Sequence, residues 1–249
     1  MSEYAVGPLV TRALRLSLRN IEGLTTALAL PVIMMLMFVY LFGGAITTGT
    51  HYVDYVVPGV LLVCISFGAG TTAISLAHDL DGGIIDRFRS MDVRGEALVN
   101  GHVVASVARN LLSAALVVAV AFAIGFRPHA DVVDWLGAAG ILALFVLALS
   151  WFAAAIGIIA RSPEAAQGIS FLISFFPYVS SAFVPIHTMP SALQGVANNQ
   201  PATAVVDSMR ALLTGGHVGA DAWHAVAWSI GLIVVSIALS GILFRRRAR

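Results

Sequence analysis

Residues 135 to 160 read WLGAAGILALFVLALSWFAAAIGIIA, a run of 26 residues without a charged side chain. A helix rises about 1.5 Å per residue, so this run can cross a hydrocarbon core about 30 Å thick. Hydrophobic residues make up 59% of the 249-residue chain and charged residues 11%, against roughly 25% charged in soluble proteins. A soluble globule of this length would need a larger polar shell. The composition therefore predicts an all-α integral membrane protein.

The rest of the chain contains five more apolar runs of spanning length. The six runs together hold one charged residue, Arg109, and the other charges lie between them. This partition predicts six transmembrane helices. They cover residues 24–46, 55–77, 102–126, 135–160, 168–186 and 222–244.

The placement of arginine predicts the orientation of these spans. With the amino terminus in the cytoplasm, 11 arginines fall in inner segments and two, Arg127 and Arg210, in outer ones. Cytoplasmic segments carry the excess of positive charge. We therefore expect a multi-pass protein of the bacterial plasma (inner) membrane with both termini in the cytoplasm.

Residues 9 to 21 predict an amphipathic helix before the first span. Wound as a helix, they place apolar residues on one side and Arg12, Arg15 and Arg19 on the other. This pattern favours a helix lying in the inner interface of the membrane. A helix packed on a partner protein is the alternative.

Residues 78 to 101 connect spans two and three on the cytoplasmic side. After the break at Gly82 and Gly83, apolar residues recur at near-helical spacing among charged ones. This spacing predicts a short amphipathic helix whose apolar face must meet something other than water. This face could pack against a partner protein, against the membrane surface or against the protein's own inner helices.

The outer connection of residues 187 to 221 is too long for a plain loop. Pro201 can start a helix in which Asp207 and Arg210 pair at i, i+3, and Gly215 can end it. Short apolar helices of this kind favour segments that dip back into the outer leaflet. Helices folded over the surface are an equally good interpretation.

Several motifs of this sequence resemble those of type-2 ABC exporter permeases, in the same order along the chain. Residues 180–185, 189–190, 199–201 and 206–212 are similar to the carboxyl-terminal signature of that family. Residues 83–90 are similar to its loop between spans two and three, particularly in the daunorubicin-resistance drug-efflux branch. The resemblance covers residues 5 to 244 and implies a single transmembrane domain.

The resemblance implies the membrane half of an ATP-driven exporter. Such a permease works with two nucleotide-binding ATPase subunits and a second permease copy, identical or merely similar. All 14 basic residues are arginine, so a Walker lysine is excluded, and we expect ATP and magnesium to bind the partner ATPase. No cofactor, metal, catalytic residue or nucleic-acid partner is expected in this chain. The resemblance assigns the ATPase-coupling contact to Gly83, Ile84, Asp86, Arg87, Phe88 and Arg89.

The transported compound is expected to be hydrophobic or amphipathic, such as a drug, a lipid or a lipid-like metabolite. Ordinary packing or lipid contact is at least as good an interpretation for each cavity candidate taken singly. The candidates for the cavity lining are Met34, Met37, Phe38, Phe175, Phe176 and Tyr178.

Two alternatives to this function can be stated. One is a permease for a larger lipid-linked glycan. The other is a membrane CDP-alcohol phosphotransferase, in which Asp79 and Asp81 would hold a metal against a diphosphate. That family's later acidic residues are missing here. For Arg109, an arginine that snorkels to the inner headgroups or forms an inner salt bridge is favoured over a substrate contact.

Overall fold

The computed structural model describes residues 21–46, 51–82 and 96–247, and every regular element in these ranges is helical. The predicted interfacial helix of residues 9 to 21 falls outside them except for its last residue. The eight α-helices are α1 (Ile21–Met37), α2 (Tyr52–Asp81), α3 (Glu96–Ala123), α4 (Val132–Ile159), α5 (Pro163–Ser174), α6 (Ser191–Asn198), α7 (Pro201–Thr214) and α8 (Ala220–Arg247).

Four of these helices, α2, α3, α4 and α8, are long and apolar enough to cross a membrane. They coincide with four of the six predicted spans. The first predicted span is formed by α1 and a π-helical turn, Phe38–Phe42, that continues it. An all-α fold with apolar spans is thus confirmed in the described part of the chain.

The fifth predicted span, residues 168 to 186, is not a single helix. Helix α5 ends at Ser174 after 12 residues, and a 3₁₀ turn, Phe176–Val179, follows it. Proline lacks an N–H donor and disfavours helical geometry at the preceding residue, so Pro177 favours a break here. A second 3₁₀ turn, Ile186–Thr188, precedes α6.

Helix α2 lies at the centre of the bundle and contacts α1, α3, α4, α5 and α7. It is apolar all round, which suits a helix surrounded by others. Small residues let its neighbours approach closely, as is common between helices in lipid. A Cβ added at Gly157 of α4 would lie 2.7 Å from the carbonyl oxygen of Ala73 in α2.

The helix ends follow local sequence rules. Asp131 and Asp134 form a capping box at the start of α4, and the Ser162 hydroxyl caps α5. Pro201 occupies the first turn of α7, and Gly215 ends that helix with a φ of 70°, a conformation that glycine adopts easily. The predicted start and end of this helix are therefore confirmed.

Candidate functional site

An aromatic row connects the first and fifth apolar segments. Adjacent ring centroids along the row are 5.5, 4.4, 5.3, 5.6 and 4.9 Å apart. Four of these separations lie within the range in which aromatic rings attract one another, and the 4.4 Å separation lies at its lower edge. In order, the aromatic row consists of Phe42, Phe38, Phe183, Tyr178, Phe175 and Phe171.

The row has a buried centre and exposed ends. Phe183 is 5% exposed, whereas Phe42 is 42% exposed at one end and Phe171 is 56% exposed at the other. A hydrophobic compound could therefore meet the outer rings without disturbing the central one. The inner rings link the π-helical turn after α1 to the 3₁₀ turn after α5.

The six predicted cavity residues do not share one environment. Phe38, Phe175 and Tyr178 belong to the aromatic row, although they come from two distant segments of the chain. Phe176 is 52% exposed and has no ring contact among the described residues. Met34 and Met37 are half-buried on α1, where the neighbouring Met35 is fully buried in the core.

Phe183 is the functional candidate that sequence reasoning missed. It lies in the motif of residues 180–185, which the sequence analysis used only as part of the family resemblance. Its ring stacks on Phe38 at 4.4 Å and on Tyr178 at 5.3 Å, so it is the link between the two segments. No local periodicity could reveal a contact between residues so far apart in the sequence.

A polar clamp holds the segment that carries Phe183. Arg210 Nη1 donates to Asp207 Oδ1 at 2.5 Å, and Arg210 Nη2 donates to the Ser181 carbonyl at 2.7 Å. Its Nε donates to the Tyr55 carbonyl at 3.2 Å, and its guanidinium carbon lies 3.7 Å from the centre of the Tyr55 ring. The polar clamp consists of Tyr52, Tyr55, Ser181, Asp207 and Arg210.

Two tyrosines of α2 complete the polar clamp. The Tyr55 hydroxyl donates to the Ser181 carbonyl at 2.9 Å, and the Tyr52 hydroxyl donates to the Phe183 carbonyl at 3.0 Å. The Ser181 hydroxyl donates to Asp207 Oδ1 at 2.6 Å. Buried carbonyls are thereby satisfied in a stretch that has no helical hydrogen bonds of its own.

Burial governs the charges of the clamp. It raises the pKa of the Asp207 carboxyl, against the opposing effects of the Ser181 hydroxyl and the Arg210 charge. Burial also lowers the pKa of the Arg210 guanidinium, although Tyr55 and Asp207 favour its charged form. Each charge is expensive to keep away from water without the other, so removal of one partner destabilises this region strongly. The i, i+3 pair predicted for Asp207 and Arg210 is confirmed.

Three residues of the clamp, Ser181, Asp207 and Arg210, lie in the motifs that carried the family resemblance. A model of the family described as ABC-2 type transporter matches residues 4–214. The chain belongs to this family. A relative, the daunorubicin resistance ABC transporter permease protein DrrB1 of Streptomyces coeruleorubidus, is 30% identical over 220 residues. The match spans 88% of this chain and 78% of that protein.

The ABC-2 assignment replaces the phosphotransferase alternative. Asp79, one of the two aspartates that interpretation needs, lies 2.9 Å from His102 Nε2 through its Oδ2. The described residues contain no group of three or more His, Cys, Asp or Glu residues that could hold a metal ion. The residues assigned to ATPase coupling, 83 to 89, lie outside the described ranges, and that assignment stays a prediction.

Arg109 of this ABC-2 permease contacts the central helix. Its Nη2 donates to the Gly68 carbonyl at 3.1 Å and to the Thr72 hydroxyl at 2.7 Å, both in α2. Next to it, Asn110 Nδ2 donates to Ser106 Oγ at 3.2 Å. The two Arg109 bonds join α3 to α2, a contact that neither the snorkelling interpretation nor the substrate interpretation predicted.

Proposed function

We propose that the protein is the permease subunit of an ATP-driven ABC exporter that moves a hydrophobic or amphipathic compound out of the cytoplasm. Two permease copies and two ATPase subunits form the working unit. The permease chain itself catalyses no covalent chemistry. It contains no lysine for a nucleotide-binding loop, so ATP and magnesium bind to the ATPase subunits.

The aromatic row is the observation that carries this proposal. Its rings come from the π-helical turn that continues α1 and from the α5 region, and the exposed ends of the row offer flat apolar surfaces. Such surfaces bind a planar or apolar molecule by burial and ring stacking, without a charged partner. The name of DrrB1 attaches that relative to daunorubicin resistance, and a compound of similar size and polarity suits this row.

The proposal includes six crossing segments, with the two interrupted ones as the first and fifth. The amino-terminal end of α2 faces outward. Arg127 and Arg210 lie at that end, where the Arg127 backbone N–H donates to Asp54 Oδ1 at 3.1 Å. Arg161 follows α4 at the opposite end, which agrees with the excess of cytoplasmic arginine.

The test is transport into inside-out membrane vesicles that hold the permease with its ATPase subunit. Daunorubicin and ethidium serve as fluorescent probes. We expect ATP-dependent uptake that Phe175→Ala weakens by raising the apparent KM. Loss of a stacking partner is worth about 0.5–1.5 kcal/mol, or roughly two- to tenfold in affinity.

Phe176→Ala is the matched control, because Phe176 is the next residue and similarly exposed but lies outside the aromatic row. It should change the apparent KM less than Phe175→Ala does. Failure of the wild-type vesicles to take up either probe would argue against this substrate class. Uptake without ATP would reject the exporter mechanism itself.

A further inference from the structure

The segment from Val179 to Phe183 is fastened from two sides. The Gln200 side-chain amide of the α6–α7 connection donates to the Val179 carbonyl, and Arg210 of α7 donates to the Ser181 carbonyl. On the other side, Tyr52 of α2 holds the Phe183 carbonyl. The backbone of Phe183 therefore depends on its neighbours rather than on a helix of its own.

Arg210 is the central member of this arrangement. It is the residue that joins α7, α2 and the segment at once, through Asp207, Tyr55 and Ser181. A guanidinium can donate in several directions within one plane while stacking on a ring, which a lysine ammonium cannot do. The side chain of Arg210 is 15% exposed, so little of it is left for a transported compound to contact.

We propose that Arg210 is a positioning residue for the aromatic row. It holds the Ser181 carbonyl, and thereby keeps the Phe183 ring between Phe38 and Tyr178. The inference rests on the proposed function, since the row is the surface that the exported compound meets. Arg210 acts on transport through Phe183 and touches no substrate.

The physical reason is the steep distance dependence of ring packing. A gap of about 0.5–1 Å already removes a quarter to a half of the attraction between two packed groups. Without Arg210, the Ser181 carbonyl keeps its bond from the Tyr55 hydroxyl but loses the charge-assisted one, and a shift of this order takes Phe183 out of its place between the two rings. The link between the turns that follow α1 and α5 is then lost.

The first experiment measures the position of the segment without any substrate. Cys64 is the sole cysteine, so Cys64→Ala gives a background for a single reporter, Ser180→Cys. Ser180 is fully buried. The change removes its hydroxyl bonds with the Pro177 carbonyl and the Ala182 N–H, a loss that every chain in the comparison shares. We expect slow labelling by a membrane-impermeant maleimide, and labelling at least about tenfold faster when Arg210→Gln is added.

Arg127→Gln is the matched control. Arg127 is the other arginine of the predicted outer segments, but its Nη1 donates to the carbonyls of Phe122 and Phe126, away from the clamp. Labelling of the reporter should stay at the wild-type rate in this variant. Equal labelling in the Arg210→Gln and Arg127→Gln chains would overturn the proposal.

The second experiment is a double-mutant cycle on the apparent KM for whichever of daunorubicin and ethidium the wild type exports. Arg210→Gln should raise the apparent KM several-fold in the wild-type background and leave it unchanged once Phe183→Ala is present, because its effect passes through that ring. Independent, multiplicative effects of the two substitutions would overturn the inference. Absence of wild-type export would count against the proposed function alone, and the labelling result would still decide the role of Arg210.

Discussion

Replacement of Gly59 by alanine tests the close packing of the central helix on the clamped segment. A Cβ at this position would lie 2.6 Å from both the Cβ and the carbonyl oxygen of Ala182, and 2.8 Å from its Cα. Overpacking of this kind costs about 1–3 kcal/mol, and backbone neighbours place it at the upper end. The better helix propensity of alanine offsets about 1 kcal/mol of this destabilisation. The net loss is about 2 kcal/mol.

A loss of this size lowers the melting temperature by about 4–8 °C for a chain of this length. The measurement is the fraction of the protein that remains monodisperse in detergent after heating to each temperature. Gly140→Ala in α4 is the control, since a Cβ there meets no atom within 4 Å and only the helix-propensity gain remains. If Gly59→Ala melts at or above the temperature of Gly140→Ala, the reasoning about this contact is refuted.

Three further predictions concern other parts of the molecule. Phe88→Ala should weaken binding of the ATPase subunit by about thirtyfold, since about 2 kcal/mol of apolar burial is lost, and the measurement is co-purification. Arg247→Ala is the control and should have a milder effect. Normal co-purification of the Phe88→Ala chain would contradict the coupling assignment. Thr72→Val removes the 2.7 Å bond from Arg109 and should destabilise the protein by about 1.5–3 kcal/mol; an unchanged melting temperature would argue against that bond. A cysteine at Gly195 should react with impermeant reagent from outside, and one at Arg247 from the cytoplasm; the reverse pattern would reject the orientation.

Local signals predicted the elements that depend on nearby residues. Helix α7 begins at Pro201 and ends at Gly215 because an N1 proline and a left-handed glycine act on their own backbone. The Asp207–Arg210 pair follows from helical spacing alone. The four long spans follow from the cost of charged groups in lipid, which accumulates residue by residue.

The break after α5 could not be predicted from the proline alone. Pro31 and Pro58 also lie in predicted spans, yet both stay within helices α1 and α2. Membrane helices tolerate proline where neighbouring groups satisfy the freed backbone. Around Pro177, the Ser180 hydroxyl donates to its carbonyl at 2.5 Å, and the Gln200 amide reaches the next turn. The outcome therefore depends on the groups around each proline, and one of them, Gln200, comes from the connection between α6 and α7.

The same limit applies to the candidate site. Phe38 and Phe183 are stacked at 4.4 Å although well over a hundred residues separate them. A sequence can mark each ring as apolar, but it cannot state which rings meet. Of the polar clamp, helical spacing predicted the Asp207–Arg210 pair, but not its bonds to α2 and to the irregular segment around Ser181.

The contact between Asp79 and His102 has a consequence for engineering. At 2.9 Å it joins the last turn of α2 to the first turns of α3, while Leu80 and Leu98 pack in one cluster beside it. The last turn of α2 and the start of α3 are therefore fixed to each other. Ends fixed in this way favour exchange of the stretch between them. If residues 83 to 89 have the predicted coupling role, grafting the equivalent stretch of another permease should redirect the choice of ATPase while the host helices keep their places.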